Sequence, residues 1–298
     1  MTRSYVHGYD PRENLRLQDQ AATLVDLLHA DTAYPAGSRV LEAGCGVGAQ
    51  TVILAAHSPQ ADITSIDVSE ASVAQARQAV AAAGFANVTL RQADIFDLPF
   101  APESFDHVFL CFVLEHLARP ADALRKLLAV LKPGGTLTAI EGDHGSAFFH
   151  PDSAAAHRAI RCQVELQARA GGNALIGRQL YPLLRAAGLD GVRVSPRMVY
   201  VDASRPGLVD GFTRKTFAAM IAGVRAEALP APRAASRHHR LGDGRREFRA
   251  GAALHPGVPR PLHRRRRLRR RAGRHTRAHA QARSPARRPG VRHDGLGT

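Results

Sequence analysis

Short apolar runs and longer amphipathic stretches alternate along the first 141 residues. The first stretch places Leu15, Ala22, Val25 and Leu28 at helical spacing, and five apolar runs separated by further stretches follow it. Strands alternating with helices of these lengths predict a parallel sheet with helices on both faces. The predicted strands are 39–43, 62–68, 88–92, 104–112 and 136–141, and the predicted helices are 12–29, 50–56, 69–84 and 120–131.

After residue 141 the alternation becomes less regular. Residues 142–154 are rich in His and Gly and are expected to form a loop, and 192–203 is expected to be a sixth strand. Helices are predicted at 155–170, 177–188 and 206–225. The whole pattern predicts an α/β fold with a doubly wound, mostly parallel sheet.

The last quarter of the chain differs in composition from the rest. Residues 1–225 carry 21 Lys and Arg against 22 Asp and Glu, whereas 226–298 carry 20 Arg, no Lys and four acidic residues. The net charge of +15 therefore lies entirely in the tail. Because this segment has few large apolar side chains, it cannot bury enough surface to offset its ordering entropy, and we expect it to be disordered.

Two interpretations of this Arg-rich tail remain open. The run RRRRLRRR (264–271) is typical of a nucleic-acid-binding arm or a localisation patch. Alternatively, the segment is the product of a shifted reading frame in a GC-rich gene. The absence of Lys beside 20 Arg favours a frame shift, since a selected basic tail normally mixes the two.

Other features of the sequence exclude several classes of protein. No stretch approaches the roughly 18 apolar residues of a membrane span, and the first residues lack the apolar run of a signal peptide. The three cysteines have no metal-ligand spacing, so a disulfide scaffold or a zinc module is not expected. We therefore expect a protein of the reducing cytoplasm with no metal.

The glycine-rich loop after the first predicted strand is the most informative segment. It lies between a strand and a helix, the context in which such a loop binds a ligand, and its glycines let the ligand approach the backbone closely. Glu42 argues against a phosphate site, because a carboxylate repels phosphate but suits an amino group or a sulfonium. The residues expected to contact the ligand here are Glu42, Gly44, Cys45, Gly46 and Gly48.

Two further acidic residues follow the second and third predicted strands. Asp67 ends the second strand, where an acid typically binds both ribose hydroxyls of an adenosine-containing ligand. Asp94 follows the third strand, where it would accept from an adenine amino group while Ile95 packs on the ring. The alternative interpretations are a helix cap for Asp67 and a turn for Asp94. Val68 is expected to contact the same ligand.

Taken together, these segments resemble the class I S-adenosylmethionine-dependent methyltransferases, in particular the small-molecule group similar to the ubiquinone and menaquinone methyltransferases. The resemblance implies S-adenosylmethionine as cofactor, with the loop on its methionine part, Asp67 on ribose, and Asp94 with Ile95 on adenine. It also implies that Tyr5 and Tyr9 belong to a lid over the cofactor. The matching motifs are VLEAGCGVGAQT (40–51), IDVS (66–69), ADIFDLPF (93–100), SFDHVFLCFVLEH (104–116) and LKPGGTL (131–137).

The resemblance also implies a division of the chain and one departure from the family. We expect a lid and helix at 1–38, a cofactor-binding core at 39–141, substrate-side helices with the sixth strand at 142–225, and the tail at 226–298. A class I sheet has seven strands, and the seventh would fall inside the Arg-rich segment. Nothing there has the pattern of a strand, so we expect the terminal strand to be missing.

Methyl transfer needs alignment and sometimes a base, and the loops after the fourth and fifth strands contain the candidates. We expect His144, and after it His116, to be the catalytic base; the alternative is that each only caps a helix or orients a loop. The preferred function is methyl transfer to a small-molecule acceptor. Two alternatives are an RNA or DNA methyltransferase that uses the basic tail, and a cofactor-binding but inactive product of the shifted frame. For the preferred function, nucleic acid is expected to bind at most non-specifically, through 226–298.

Overall fold

A single mixed sheet forms the centre of the computed structural model, which describes residues 11–223 and the backbone of strand 274–283. The strands are β1 (Arg39–Ala43), β2 (Asp62–Asp67), β3 (Val88–Gln92), β4 (Phe105–Cys111), β5 (Leu131–Phe148), β6 (Asp190–Tyr200) and β7 (Arg274–Arg283). Their order is β3-β2-β1-β4-β5-β7-β6. β7 runs antiparallel to β5 and β6, whereas the pairings among β1 to β5 are parallel. The predicted doubly wound α/β fold is confirmed.

Helices cover both faces of this sheet. They are α1 (Pro11–Leu28), α2 (Ala49–His57), α3 (Glu70–Ala82), α4 (Pro120–Val130), α5 (Ala154–Arg169), α6 (Leu180–Ala186), α7 (Pro206–Leu208) and α8 (Ala219–Gly223), with a π-helical stretch at Val209–Ala218 between the last two. Ser69 caps α3 as predicted, since its hydroxyl accepts a hydrogen bond from the Ser72 N–H at 3.2 Å. None of the helices in residues 11–223 combines the length and apolar composition needed to cross a bilayer.

The alternation of side chains along β1 divides the core into two layers. Val40 packs on one face in a cluster that includes Leu24 and Leu28 of α1. Leu41, its neighbour, packs on the other face with Leu124 of α4. Because successive strand residues point to opposite faces, a strand that is buried on both faces has consecutive apolar residues in its sequence. This is why the central strands could be predicted from the sequence.

The prediction of a loop at 142–154 is wrong for its first half. β5 continues to Phe148, and its outer part pairs with β7, for example Gly142 with Arg277 and Asp143 with Thr276. The His- and Gly-rich composition suggested a loop, but the adjacent antiparallel strand supplies the hydrogen bonds that keep this segment extended. As a result, residues 142–144 belong to the sheet.

The expectation that the terminal strand is missing is also wrong. β7 lies between β5 and β6 and pairs with both, with Ala280 opposite Ala139 on one side and Val194 on the other. Its sequence alternates Ala or Thr with polar residues, a period of two that fits a strand but lacks the large apolar residues by which strands are usually recognised. The remainder of 226–298 lies outside the described residues, as do the predictions of disorder, of a nucleic-acid-binding arm and of a shifted frame.

Candidate active site

A cavity of about 240 Å³ opens at the carboxyl ends of β1, β2 and β4. Ligands of open parallel sheets bind at this edge, outside the ends of the strands. Residues of α1, β5 and the segments after β1, β3 and β4 form its walls. We call its two ends the glycine-loop end (Gly44, Gly46, Asp67 and Asp94) and the histidine end (Glu115, His116, Gly142 and His144).

The glycine loop is held by backbone hydrogen bonds and tight packing. The N–H groups of Gly44 and Cys45 both donate to the carbonyl of Ile66, at 2.8 and 2.9 Å. Gly44 has φ +80°, and a Cβ there would lie 2.6 Å from a methyl of Val113. Gly46, with φ +52°, has no atom within 4 Å of its Cβ direction. Gly44 therefore serves packing, whereas Gly46 leaves open space in the cavity.

Glu42 lies beneath the loop and does not line the cavity. Its Oε2 accepts hydrogen bonds from the hydroxyls of Thr51 at 2.7 Å and Ser65 at 2.6 Å. Burial raises the pKa of Glu42 to about 7, although these two hydrogen bonds oppose the rise. The structure therefore places Glu42 under the loop, where it joins β1, β2 and α2.

Asp67 and Asp94, which are 27 positions apart, line the same wall of the cavity. Asp67 accepts the N–H of Gly46 on Oδ2 and the N–H of Ser69 on Oδ1, both at 2.9 Å. Burial raises the pKa of Asp67, against these backbone bonds. Asp94 accepts the N–H of Phe96 at 2.9 Å. The turn predicted as an alternative for Asp94 is therefore present, and the carboxylate also faces the cavity.

Apolar residues complete the glycine-loop end. Val68 is 53% exposed and Ile95 is buried, and both line the cavity. An exposed valine on the wall of a cavity provides an apolar surface for a flat ligand group. Cys45 also lines the wall and is buried. Tyr5 and Tyr9, the predicted lid residues, lie outside the described residues.

α1 contributes to the cavity in a way that the sequence did not indicate. Arg16 and Gln20 are buried on its inner side and line the wall together with Asn14. Arg16 pairs with Glu13 at 2.5 Å and bonds to Gln20 at 2.6 Å. Polar residues at a spacing of four along an amphipathic helix are the signal that could have indicated this contact.

The histidine end is built around two buried glutamates. Glu141 caps the short 3₁₀ helix Leu114–His116: its Oε1 accepts the N–H groups of Val113 at 3.1 Å and Leu114 at 2.8 Å. Its Oε2 accepts the N–H of Glu115 at 3.3 Å. Burial and the charge of Glu115 raise the pKa of Glu141 to about 8. This cap fixes the backbone of Glu115 at the cavity.

Glu115 lies between the two histidines that the sequence suggested as bases. Its Oε1 is 3.4 Å from Nε2 of His116, and its Oε2 is 3.4 Å from Nε2 of His144. Burial alone would raise the pKa of Glu115, but the interactions with His116 and His144 hold it well below its usual range. The sequence analysis singled out the two histidines and not Glu115. Its position between them depends on contacts between β5 and the 3₁₀ helix.

The two candidate histidines differ in access. The side chain of His144 is 7% exposed and its Nδ1 is fully buried, whereas the side chain of His116 is 20% exposed. A base must reach the proton that it removes, so the geometry favours His116 over His144, the reverse of the expected order. Asp143, between Gly142 and His144, pairs with Arg178 at 2.8 Å.

No group of three His, Cys, Asp or Glu side chains in the described part of the chain has the arrangement of a metal site. His157 pairs with Asp152 at 2.8 Å, away from the cavity walls. The absence of a metal remains a prediction for the chain as a whole.

A family model of the methyltransferase domain matches residues 35–188, which span the glycine loop, both aspartates and the histidine end. The chain belongs to this methyltransferase domain family. An antiparallel last strand between β5 and β6 gives it the sheet of class I S-adenosylmethionine-dependent methyltransferases, a class whose cofactor is S-adenosylmethionine.

Among the relatives of this methyltransferase domain, an uncharacterised 37.1 kDa protein in a transposon of Streptomyces fradiae is 36% identical over 200 residues, which is 66% of this chain and 56% of that protein. The ubiquinone/menaquinone biosynthesis C-methyltransferase of Geotalea daltonii is 33% identical over 110 residues, 36% of this chain and 47% of that enzyme. The matches thus cover about half of these relatives' length.

Solved structures agree on the fold. A putative methyltransferase from Bacillus halodurans has a TM-score of 0.51 at 17% identity, covering 89% of this chain and 99% of that one. A phosphoethanolamine N-methyltransferase from Haemonchus contortus has a TM-score of 0.55 at 14% identity, covering 95% and 61%. At these identities the likeness shows the fold alone.

The glycine-loop end fits the class cofactor. Gly46 leaves open space beside the carboxylate of Asp67. The carboxylate of Asp67 accepts backbone N–H groups and lines the cavity, where a carboxylate can also accept from a hydroxyl donor. An apolar surface from Val68 and Ile95 lies in the same cavity.

Proposed function

We propose that this methyltransferase domain transfers a methyl group from S-adenosylmethionine to a small-molecule acceptor. The observation that carries the proposal is one continuous cavity with the glycine loop, Asp67 and Asp94 in one part and Glu115, His116 and His144 in the other. When bound, the cofactor supplies an electrophilic methyl carbon on a sulfonium, so the protein contributes binding, alignment and removal of a proton.

At the glycine-loop end, each group has a distinct task in this proposal. The backbone of the loop from Gly44 to Gly48, with Cys45, holds the methionine part of the cofactor. Asp67 accepts hydrogen bonds from the ribose hydroxyls, and Asp94 accepts from the adenine amino group while Ile95 and Val68 pack on the ring. Glu42 acts through the loop, because its hydrogen bonds with Thr51 and Ser65 fix the start of α2 and the end of β2.

At the histidine end, His116 takes the proton of the acceptor. It lines the cavity and is more exposed than His144, and the carboxylate of Glu115 stabilises its charged form. His144 holds the other oxygen of Glu115 in place.

The division of the chain follows from these tasks. We assign 1–38 to the cover over the cofactor, because Asn14, Arg16 and Gln20 of α1 line the cavity. Residues 39–141 form the cofactor-binding core, and 142–225 provide His144 and Met220 on the acceptor side.

Calorimetric titration with S-adenosylhomocysteine tests the cofactor assignment. Asp67→Ala is expected to weaken binding about 100-fold, since hydrogen bonds to a charged group contribute roughly 1.5–3 kcal/mol each. The matched control is Asp62→Ala at the other, exposed end of β2, which is expected to change the affinity less than twofold. Wild-type protein that does not bind S-adenosylhomocysteine, or Asp67→Ala that binds it as tightly, would contradict the proposal.

A further inference from the structure

His29 is a buried histidine outside the cavity that contacts a residue of the cavity wall. It directly follows α1, is 1% exposed and does not line the cavity. Its Nε2 lies 2.7 Å from Oε1 of Gln50, which is in the first turn of α2, just after the glycine loop. Its ring also packs against Phe109, with 5.7 Å between the ring centroids. His29 is therefore held in place by packing while its one short side-chain contact reaches a wall residue.

The second ring nitrogen of His29 decides how the contact with Gln50 is made. Burial lowers the pKa of His29, so the ring is neutral near pH 7 and has one donor and one acceptor nitrogen. Nδ1 is buried and has no hydrogen-bond partner. With the proton on Nδ1, a buried N–H would be unpaired, which is rarer in proteins than an unpaired acceptor. The proton is therefore on Nε2, which donates to Oε1 of Gln50.

This bond leaves the N–H2 group of the Gln50 amide available to a ligand. Gln50 lines the cavity, and its Nε2 makes no hydrogen bond to the described residues. Nε2 is also not among the buried unpaired atoms of the described residues, so it is accessible. Because His29 occupies the oxygen of the amide, the group that remains for a ligand is a hydrogen-bond donor.

The surroundings of Gln50 indicate which group of the ligand it binds. The glycine loop just before Gln50 is the proposed site of the methionine part of the cofactor, and the carboxylate is the acceptor group of that part. Arg16, the arginine of the same wall, already bonds to Glu13 and Gln20. Asp67 repels a second carboxylate nearby unless donors compensate for the repulsion. A neutral donor such as the Gln50 amide meets this need.

We infer that Gln50 binds the carboxylate of the methionine part of the cofactor through its N–H2 group, and that His29 is the positioning residue that keeps this group available. The inference rests on the proposed use of S-adenosylmethionine. Without His29, the amide can rotate by half a turn and present its oxygen to the carboxylate, which repels it. Binding of the cofactor thus depends on a histidine that does not line its cavity.

Two ligands that differ only in the carboxylate test the role of Gln50. S-adenosylhomocysteine carries this group, and S-adenosyl-3-thiopropylamine is the same molecule without it. In calorimetric titration, Gln50→Ala should bind S-adenosylhomocysteine about tenfold more weakly than the wild type, because a hydrogen bond to a charged group is lost. Its affinity for the thiopropylamine should stay within twofold of the wild type. Gln78→Ala, at an exposed glutamine of α3, is the matched control and should change neither affinity.

Variants of His29 supply the second measurement. His29→Phe keeps an aromatic ring against Phe109 but cannot donate, so it should weaken binding of S-adenosylhomocysteine about fivefold and leave the thiopropylamine within twofold. In the double variant with Gln50→Ala, the loss should be no greater than with Gln50→Ala alone, because His29 acts through Gln50. His29→Gln places an amide nitrogen near the position of Nε2 and should bind S-adenosylhomocysteine within twofold of the wild type. It keeps the test decisive if His29→Phe does not fold.

A purely structural role of either residue would affect both ligands alike. Equal weakening of the two ligands by Gln50→Ala, no weakening of either, or losses that add in the double variant would overturn the inference. Equal affinity of the wild type for the two ligands would overturn it as well. Failure of the wild type to bind S-adenosylhomocysteine would instead overturn the proposed function.

Discussion

The two ends of the cavity are held together by different kinds of contact. The glycine-loop end is held together mainly by backbone N–H groups: Asp67 accepts those of Gly46 and Ser69, and the loop amides bond to the carbonyl of Ile66. The histidine end is built around buried ionisable side chains, with Glu141 on three backbone N–H groups of the 3₁₀ helix and Glu115 between two histidines. Contacts made by the backbone suit a ligand that is always the same, such as the cofactor. Side chains at the histidine end can be replaced to suit another acceptor while the fold stays the same.

The largest effect is expected from crowding the glycine-loop end. Gly44→Ala combines a left-handed backbone at φ +80° with a clash against Val113, so we expect a loss of about 3–4 kcal/mol in the free energy of unfolding and no measurable binding of S-adenosylhomocysteine. Gly84→Ala is the matched control, because φ is +75° but nothing lies within 4 Å. It should cost about 1 kcal/mol. Equal losses in urea unfolding of the two variants would show that packing against Val113 is not important.

The next largest effect concerns the cap at the histidine end. Glu141→Ala leaves three backbone N–H groups without an acceptor and should lower the free energy of unfolding by about 3 kcal/mol. Glu141→Gln should cost less, about 1–2 kcal/mol, because its amide oxygen can still accept from Val113 and Leu114 while only the N–H of Glu115 loses its acceptor. If the Gln variant is as unstable as the Ala variant in urea unfolding, the charged form of Glu141 is the one that the fold requires.

A smaller effect is expected from the pH dependence of Glu42. A carboxyl whose pKa is higher in the folded than in the unfolded protein contributes stability that is fully present when the pH is below its pKa in the unfolded protein. For Glu42 this contribution is lost as the pH rises through its folded-state pKa of about 7. Raising the pH from 5 to 8 should therefore lower the free energy of unfolding by about 2 kcal/mol through Glu42. Glu42→Gln should abolish that part of the slope of unfolding free energy against pH.

Urea unfolding at several pH values measures this slope directly. Exposed Glu70→Gln serves as the control that leaves the slope unchanged. A slope that is the same in wild type and Glu42→Gln would mean that Glu42 keeps an ordinary pKa under the loop.

The smallest effect on stability is expected from Gly142→Ala, which tests most directly whether the two ends of the cavity are independent. Gly142→Ala meets only the ends of two side chains, Glu115 and His144, at 3.2 and 3.3 Å, so the free energy of unfolding should change by less than about 1 kcal/mol. Its affinity for S-adenosylhomocysteine in calorimetry should stay within twofold of the wild type, in contrast to Gly44→Ala. A large loss of cofactor affinity would show that the two ends of the cavity are not independent.

The difference between the two ends also explains what the sequence could predict. The strands from β1 to β4 and the residues Gly44, Asp67 and Asp94 were predictable because each lies in a local pattern, an apolar run followed by glycine or an acid. The burial of Glu42 under the loop was not, because the partners Thr51 and Ser65 reach it from two other elements. The position of Glu115 between two histidines likewise depends on how β5 packs beside the 3₁₀ helix.

The sequence was misleading where small residues replace large ones. β7 consists mostly of Ala, Thr, Arg and His, and a central strand is normally recognised by Val, Ile or Leu. Pairing on both of its sides supplies backbone hydrogen bonds whatever the side chains are. The same pairing turned the expected loop at 142–148 into strand.

The place of β7 in the sheet has a consequence for the order of assembly. β6 pairs with no strand other than β7 in the described sheet, and the partner of Tyr200 is Arg274, more than 70 positions further along the chain. During synthesis, β6 leaves the ribosome long before its partner and must wait, unpaired, until residues 274–283 have emerged. Closing such a long-range pairing is slow because loop-closure entropy is lost before the contacts form. The nascent chain therefore exposes the outer edge of β5 and the whole of β6 during this interval, which makes this half of the sheet the part most dependent on protection by chaperones.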